Sequence, residues 1–204
     1  MPKVSLVIPS YWSRPRHAVW RPGDAVYDHP TPLDAQGTLL RTLESLNVLA
    51  RRDFEVIVLA VPTAAEIAAA VEARVNAIVD PASAELDVRL RTFGPSQLRQ
   101  VRRTLERVGL GPFNDLLRLR GYANVRNLCV FVPHLLGSDV AVLIDDDEVF
   151  EDPGFLDKAL EVLGHRIDGT PVYAVAGHYR PPEGGYRIPE PANPGSGPGA
   201  RWSR

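Results

Sequence analysis

Six acids fall within eight residues, Asp145, Asp146, Asp147, Glu148, Glu151 and Asp152, with no base between them. A run of carboxylates is ordinarily a solvated face, and what precedes this one gives it chemical meaning. Residues 139–145 (DVAVLID) form the strongest strand pattern in the chain, a continuous apolar run of the kind buried on both faces. The acids therefore emerge at the carboxyl end of a strand, where open α/β sheets bind their ligands. Strand alternation would set Asp145 and Asp147 on one side, about 6.6 Å apart, and turn Asp146 away. Two carboxylates so placed can converge on one Mg2+ or Mn2+, ions commonly held by one or two carboxylates plus substrate phosphates.

The elements that would position these acids alternate along the chain. Val4 to Ile8 reads as a buried strand closed by Pro9, and the spacing of Leu39, Leu40, Leu43, Leu46 and Leu49 predicts a helix over 38–51. A second buried strand follows over 54–61. A helix then starts at Thr63, where Thr63 and Glu66 have capping-box spacing, and ends near Asp80 and Pro81. Further expectations are a strand over 86–92, an arginine-rich amphipathic helix before Gly109, a helix over 122–136 stopped by Gly137, a short helix over 154–163 and a last strand over 172–176. Alternation of this kind predicts an α/β fold, a mostly parallel open sheet with helices on both faces. Between the first strand and first helix, residues 10–36 hold four prolines with Tyr11, Trp12, Trp20 and Tyr27, a long loop rich in stacking surface.

Composition sets the outer limits. At 204 residues one domain is expected, over 1–180, with a Pro/Gly-rich irregular tail over 181–204. Apolar stretches fall short of a membrane span, the N-terminus lacks the apolar region of a secretory signal, and the single Cys129 permits no internal disulfide. A soluble, cytoplasmic protein is expected. Cys129 reads as a buried, inert thiol.

Three segments taken together resemble the family 2 glycosyltransferases of the A-type fold: VSLVIPSYW at 4–12, GYANVRNLCVF at 121–131 and VAVLIDDDEVFEDPGFL at 140–156. The resemblance implies a nucleotide-diphosphate-sugar donor, an unidentified acceptor and an inverting, hexosyltransferase-like activity dependent on Mn2+ or Mg2+. It carries Pro9, Tyr11, Arg126, Asn127 and Asp146 over as donor-nucleotide contacts and Asp145 and Asp147 as metal ligands, with His178 as a third. It also leads us to expect a chain that is short of the acceptor-binding part. The catalytic base is unassigned: the downstream acids Glu183 and Glu190 stand in the Pro/Gly-rich tail. The acidic residue that the family often carries after its second strand is replaced here by the run Leu59, Ala60, Val61 and Pro62.

Other readings compete. A Walker-type site needs a Gly-Lys pair that the chain lacks, and an EF-hand would need Gly where Phe150 stands. Asp145, Asp147 and Val149 formally meet the D-x-D-x-[TV] pattern of haloacid-dehalogenase phosphatases, a family that carries it on its first strand. Finally, nine arginines between Arg89 and Arg126 face only Glu106 and Asp115, which suggests a basic binding module for anionic partners. Few interleaved aromatics and a net charge of -2 argue against nucleic acid and leave peripheral membrane contact open.

Overall fold

The computed structural model describes residues 2–177. The apolar run at Val4 does start a strand, but Pro9 does not end it: β1 extends over Val4–Ser13 and pairs in parallel with β3 (Phe54–Pro62), from Val4 opposite Phe54 to Trp12 opposite Pro62. The far edge of β1 explains why the proline is tolerated. There β5 (Val140–Leu143) pairs only with Val4 to Val7, and the two-residue β2 (Thr31–Pro32) only with Trp12 and Ser13. The carbonyls of Val7 and Ser13 accept hydrogen bonds from Ile144 and Leu33 on that edge, while the carbonyl of Trp12 accepts one from Thr63 beyond β3. Period-two alternation turns the main-chain groups of Pro9 toward the same far edge, in the gap between β5 and β2. The missing N–H would have no strand partner there, the situation in which a sheet accepts proline.

On the other side of β3 runs β4 (Arg89–Phe93), also parallel. The order β4, β3, β1, β5 means that the chain winds outward in one direction from β1 and then returns to the opposite side. The switch point lies between β1 and β5.

Helices cover both faces, as the sequence predicts. Val7, Ile57, Leu59 and Val61 pack with Val125, Leu128, Cys129 and Val132 of α4 (Tyr122–Leu135) and with Leu98 of α3 (Pro95–Arg107). The alternate residues Leu6, Ile8, Val56 and Val58 are equally buried. Their face carries Trp12, over whose ring the Arg74 guanidinium of α2 (Ala68–Glu85) lies at 5.8 Å, and α2 in turn contacts α1 (Leu39–Ser45).

Several boundaries differ from expectation. The capping box at Thr63 and Glu66 does not form, because Glu66 is drawn into an ion pair with Arg14 and α2 begins at Ala68 after a 3-10 turn. At its other end α2 runs through Pro81 to Glu85. Pro81 lies on the exposed face, while Ala82 and Leu86 continue the buried stripe of Val75, Ile78 and Val79. β5 stops at Leu143, and the helix over 154–163 contracts to α5 (Phe155–Leu160). No strand forms over 172–176. Tyr173 there is 86% exposed, and the neighbouring structure is a small antiparallel hairpin of β6 (Arg166–Ile167) and β7 (Thr170–Pro171).

Two compact units divide at Lys158, and the first carries the whole parallel sheet. The tail over 181–204 lies outside the described residues. No helix among the described residues is long and apolar enough to cross a membrane.

Leu128 is fully buried against the sheet whereas Leu135, on the same helix, is 55% exposed. Leu128→Ala should cost about 2–5 kcal/mol through lost transfer energy and the cavity left behind. Leu135→Ala should cost under about 0.5 kcal/mol. Urea unfolding of both variants checks the difference.

Candidate functional site

The acids of residues 145–148 leave the sheet as a turn and not as a strand. The Glu148 N–H donates to the Asp145 carbonyl at 3.2 Å, and the Asp145 N–H donates to a Glu148 carboxylate oxygen at 3.0 Å. The alternation expected for Asp145 and Asp147 therefore does not apply. The separation of the acids into two directions survives, by a different cause: Asp145 and Asp147 are exposed, and Asp146 turns inward.

Ser10 of β1 decides where Asp146 points. Its hydroxyl accepts from Trp12 Nε1 at 2.9 Å and donates to Asp146 Oδ2 at 2.5 Å. Ser10 and Trp12 are both fully buried, so this hydroxyl has one direction to offer and the carboxyl takes it. Burial pushes the Asp146 carboxyl up to about 6; the Ser10 hydrogen bond works against that, and the charges of Asp147 and Asp145 add to it.

Helix α1 holds the outside of the turn. Thr42 Oγ1 donates to the Asp146 carbonyl at 2.8 Å, Arg41 donates to the Asp147 carbonyl at 3.1 Å, and Ser45 Oγ accepts from the Phe150 N–H at 3.1 Å. Three side chains one or three positions apart on one helix thus bind the main chain of the acidic turn, leaving the Asp145 and Asp147 carboxylates to solvent.

On the opposite face of β1, Tyr11 meets Tyr27 with ring centroids 4.4 Å apart and lies parallel to Tyr122 at 6.3 Å. Tyr27 arrives from the long loop, and its hydroxyl accepts from the Gly121 N–H at 2.9 Å. Gly121, with φ 83°, is the residue from which α4 starts, in a conformation that side chains rarely adopt. One turn into α4, the Arg126 guanidinium lies 5.2 Å from the Tyr122 ring, donates to its hydroxyl at 3.1 Å and reaches Asp145 Oδ1 at 3.5 Å. Both members of that ion pair are partly exposed, a setting in which a pair contributes about 0–1 kcal/mol. A bond that weak leaves Arg126 free to exchange Asp145 for another anion. The Tyr11 hydroxyl is enclosed without a hydrogen-bond partner among the described residues, and burial holds its pKa above the ordinary phenol range. Burial likewise pushes the Cys129 thiol up to about 11, consistent with an inert core cysteine.

Of the residues singled out by sequence, Tyr11, Arg126 and Asp145 come together, Asp146 and Asp147 share their turn, and Pro9 lies in β1 beside it. Asn127 is turned away: its side-chain amide donates to the Leu116 carbonyl at 3.0 Å. His178, Glu183 and Glu190 lie outside the described residues. Ser10, Arg41, Thr42, Ser45 and Tyr122 were missed, and Tyr27 was marked only as stacking surface of the long loop. Ser10 had a usable signal, a small polar residue at the position where the alternation of Leu6 and Ile8 calls for a buried side chain. Thr42 and Ser45 had only their place on a leucine-rich helix.

Among the described residues no three His, Cys, Asp or Glu side chains are grouped to hold a metal ion. A cation here would take at most the two exposed carboxylates and complete its shell with water and ligand oxygens. Mg2+ and Mn2+ accept that donor set, and structural zinc does not. Comparison with protein-family models, with curated proteins and with solved structures gives no match.

The raised Asp146 carboxyl has a stability consequence. The folded chain keeps this proton up to about pH 6, while an unfolded Asp releases it near about 3.9. The folded state therefore binds more protons between these values, and this group's contribution falls as pH rises through about 6. Asp146→Asn keeps an acceptor for Ser10 and removes the charge. Its stability relative to the native chain should rise by about 1.5 kcal/mol between pH 5 and 7.5. Melts at the two pH values test this, and an unchanged difference would refute it.

Proposed function

We propose that this chain binds a nucleotide-diphosphate sugar with a divalent cation at the carboxyl ends of β1 and β5, as a glycosyltransferase-like domain of the A type. One observation carries the proposal. Just past the switch point of a parallel sheet, one turn exposes the Asp145 and Asp147 carboxylates, and Asp145 is weakly paired with Arg126, which also lies over the exposed Tyr122 ring. Such a point is where open α/β sheets take nucleotides.

Each group has a task in that chemistry. Asp145 and Asp147 would hold Mn2+ or Mg2+, which when bound neutralises charge on a diphosphate. Arg126 lies within reach of Asp145 and can donate two parallel hydrogen bonds to a phosphate, which the carboxylate at 3.5 Å leaves unsatisfied. As the glycosidic bond breaks and negative charge gathers on the departing diphosphate, Arg126 would stabilise it where it develops. Tyr122 offers a half-exposed face for a planar base, with Tyr11 and Tyr27 behind it. Asp146, bonded to Ser10, sets the turn that presents its two neighbours. The acceptor and the base that would activate it are not assigned.

Titration calorimetry of the whole chain with UDP and GDP, with and without Mn2+, tests the proposal. Binding should require the metal and be lost in Asp147→Ala, and Arg126→Ala should weaken it roughly 10- to 100-fold. Absence of metal-dependent binding to either nucleotide would sink the donor-site reading.

A further inference from the structure

The basic segment predicted from sequence folds into α3 and a following 3-10 helix over Gly111–Leu116, and neither is used by the site at β1 and β5. Residues 95–120 hold six arginines against Glu106 and Asp115, in a chain whose net charge is -2. Arg99, Arg103 and Arg107 follow one another at four-residue steps along α3 and are all exposed. Among the described residues none of the three has a carboxylate partner; Arg99 and Arg107 donate only to the hydroxyls of Ser96 and Thr104, one turn back. They form a stripe of uncompensated positive charge.

Beside that charge lies apolar surface that the fold leaves uncovered. Leu110 caps the 3-10 helix, and Phe113 and Leu116 follow at three-residue steps, with the Phe113 N–H donating to the Leu110 carbonyl at 3.0 Å. A helix of three residues per turn stacks such positions on one edge. The three side chains are 44%, 55% and 54% exposed, and Val108 before them is 63% exposed. Exposure here is selective, since Leu117 and Leu119 in the same segment are buried to 6% and 5%. Arg102 pins the arrangement by donating to the carbonyls of Leu117 and Asn114 at 2.7 and 3.1 Å, which ties the 3-10 helix to α3.

From this we infer that the arm formed by α3 and the 3-10 helix docks on an anionic membrane surface. An apolar edge on the 3-10 helix and an arginine stripe on the α3 it packs against match the interface of a bilayer on both counts. Leu110, Phe113 and Leu116 would enter the boundary of headgroups and acyl chains, while Arg99, Arg103 and Arg107 would take lipid phosphates and keep their aliphatic stems along the apolar layer. The charge argues for this occupant over an uncharged protein groove, because the exposed Arg99, Arg103 and Arg107 would have to be desolvated against a neutral partner. The inference is independent of the donor site: Asp147 and Arg126 take no part in it.

Sedimentation of the whole chain with lipid vesicles is the test. Vesicles containing about one-third phosphatidylglycerol should bring the protein down, pure phosphatidylcholine vesicles should not, and binding should fall with added salt to about 0.5 M. The double variant Phe113→Ser with Leu116→Ser and the triple variant Arg99→Gln, Arg103→Gln, Arg107→Gln should each reduce partitioning about tenfold or more. Circular dichroism melts establish that both variants, which alter only exposed positions, remain folded. Asp147→Ala should partition like the native chain. Failure to sediment with anionic vesicles overturns the inference, as does undiminished binding by the serine variant, which would leave charge alone as the cause. If light scattering shows a native dimer that the serine variant dissociates, the apolar edge belongs to a second copy and the membrane assignment falls. If inorganic phosphate at about millimolar concentration abolishes binding to vesicles, the arginines form a site for soluble phosphate and the inference likewise fails.

Discussion

The mismatch in length between β1 and β5 governs the site. β1 has ten residues and β5 has four, and both start at the same level of the sheet. The chain leaving β5 must therefore turn while still alongside the middle of β1. That turn contains Asp145, Asp146 and Asp147, and the part of β1 that it meets begins at Pro9 and Ser10. A proline there has no neighbouring strand to offend, and a serine there can reach across the gap to Asp146. Extending β5 by two residues would pair it alongside Pro9 and give the acids a strand's geometry. The acidic turn exists because the pairing stops.

Holding such a turn open has an energetic cost, since three adjacent carboxyl groups repel one another. The structure spreads that cost over different groups. Asp146 is buried on a hydroxyl, where its proton is retained up to about pH 6 and one charge is removed over the acidic range. Glu148 closes the turn through the Asp145 N–H, and α1 supplies Arg41 and Thr42 to the main-chain carbonyls. Those contacts leave the two outer carboxylates with little beyond a long ion pair to Arg126. The proposed cation and anionic ligand would thus meet few internal bonds to break, the pre-organisation that binding favours.

The two faces of β1 divide the work. One face carries Ser10 and Trp12 and orders the acidic turn; the other carries Tyr11 and orders the aromatic and arginine side through Tyr27, Tyr122 and Arg126. Both are set by the same strand, so their relative position is as rigid as the β1 to β3 ladder. The arginine arm of α3 stands apart from this pair, with its own charge and apolar edge, and gives the first unit two surfaces of different chemistry.

Much of this was legible in the residues. Apolar runs at Val4, Phe54 and Val140 and the periodicities of α1, α3 and α4 follow from burial and pattern, which are local properties, and they led to the parallel sheet covered on both faces. The acidic run could be picked out as residues whose types and place suit a metal, whereas Arg126 and Tyr11 were reached only through the family resemblance. What local pattern could not convey was where pairing ends. Pro9 reads as a strand terminus because its tolerance depends on a neighbour 130 residues away, and the separation of Asp146 from Asp145 and Asp147 reads as strand alternation because the strand pattern runs past Leu143, where the pairing stops. The end of α2 past Pro81, the missing cap at Thr63 and the unused strand pattern over 172–176 have the same origin: each depends on whether a partner from elsewhere in the chain arrives. Residue types and their periods decided which chemistry this protein can attempt. Only tertiary pairing decided which carboxylates face solvent, because a side chain's direction at a strand end depends on the hydrogen bonds that its neighbours leave unmade.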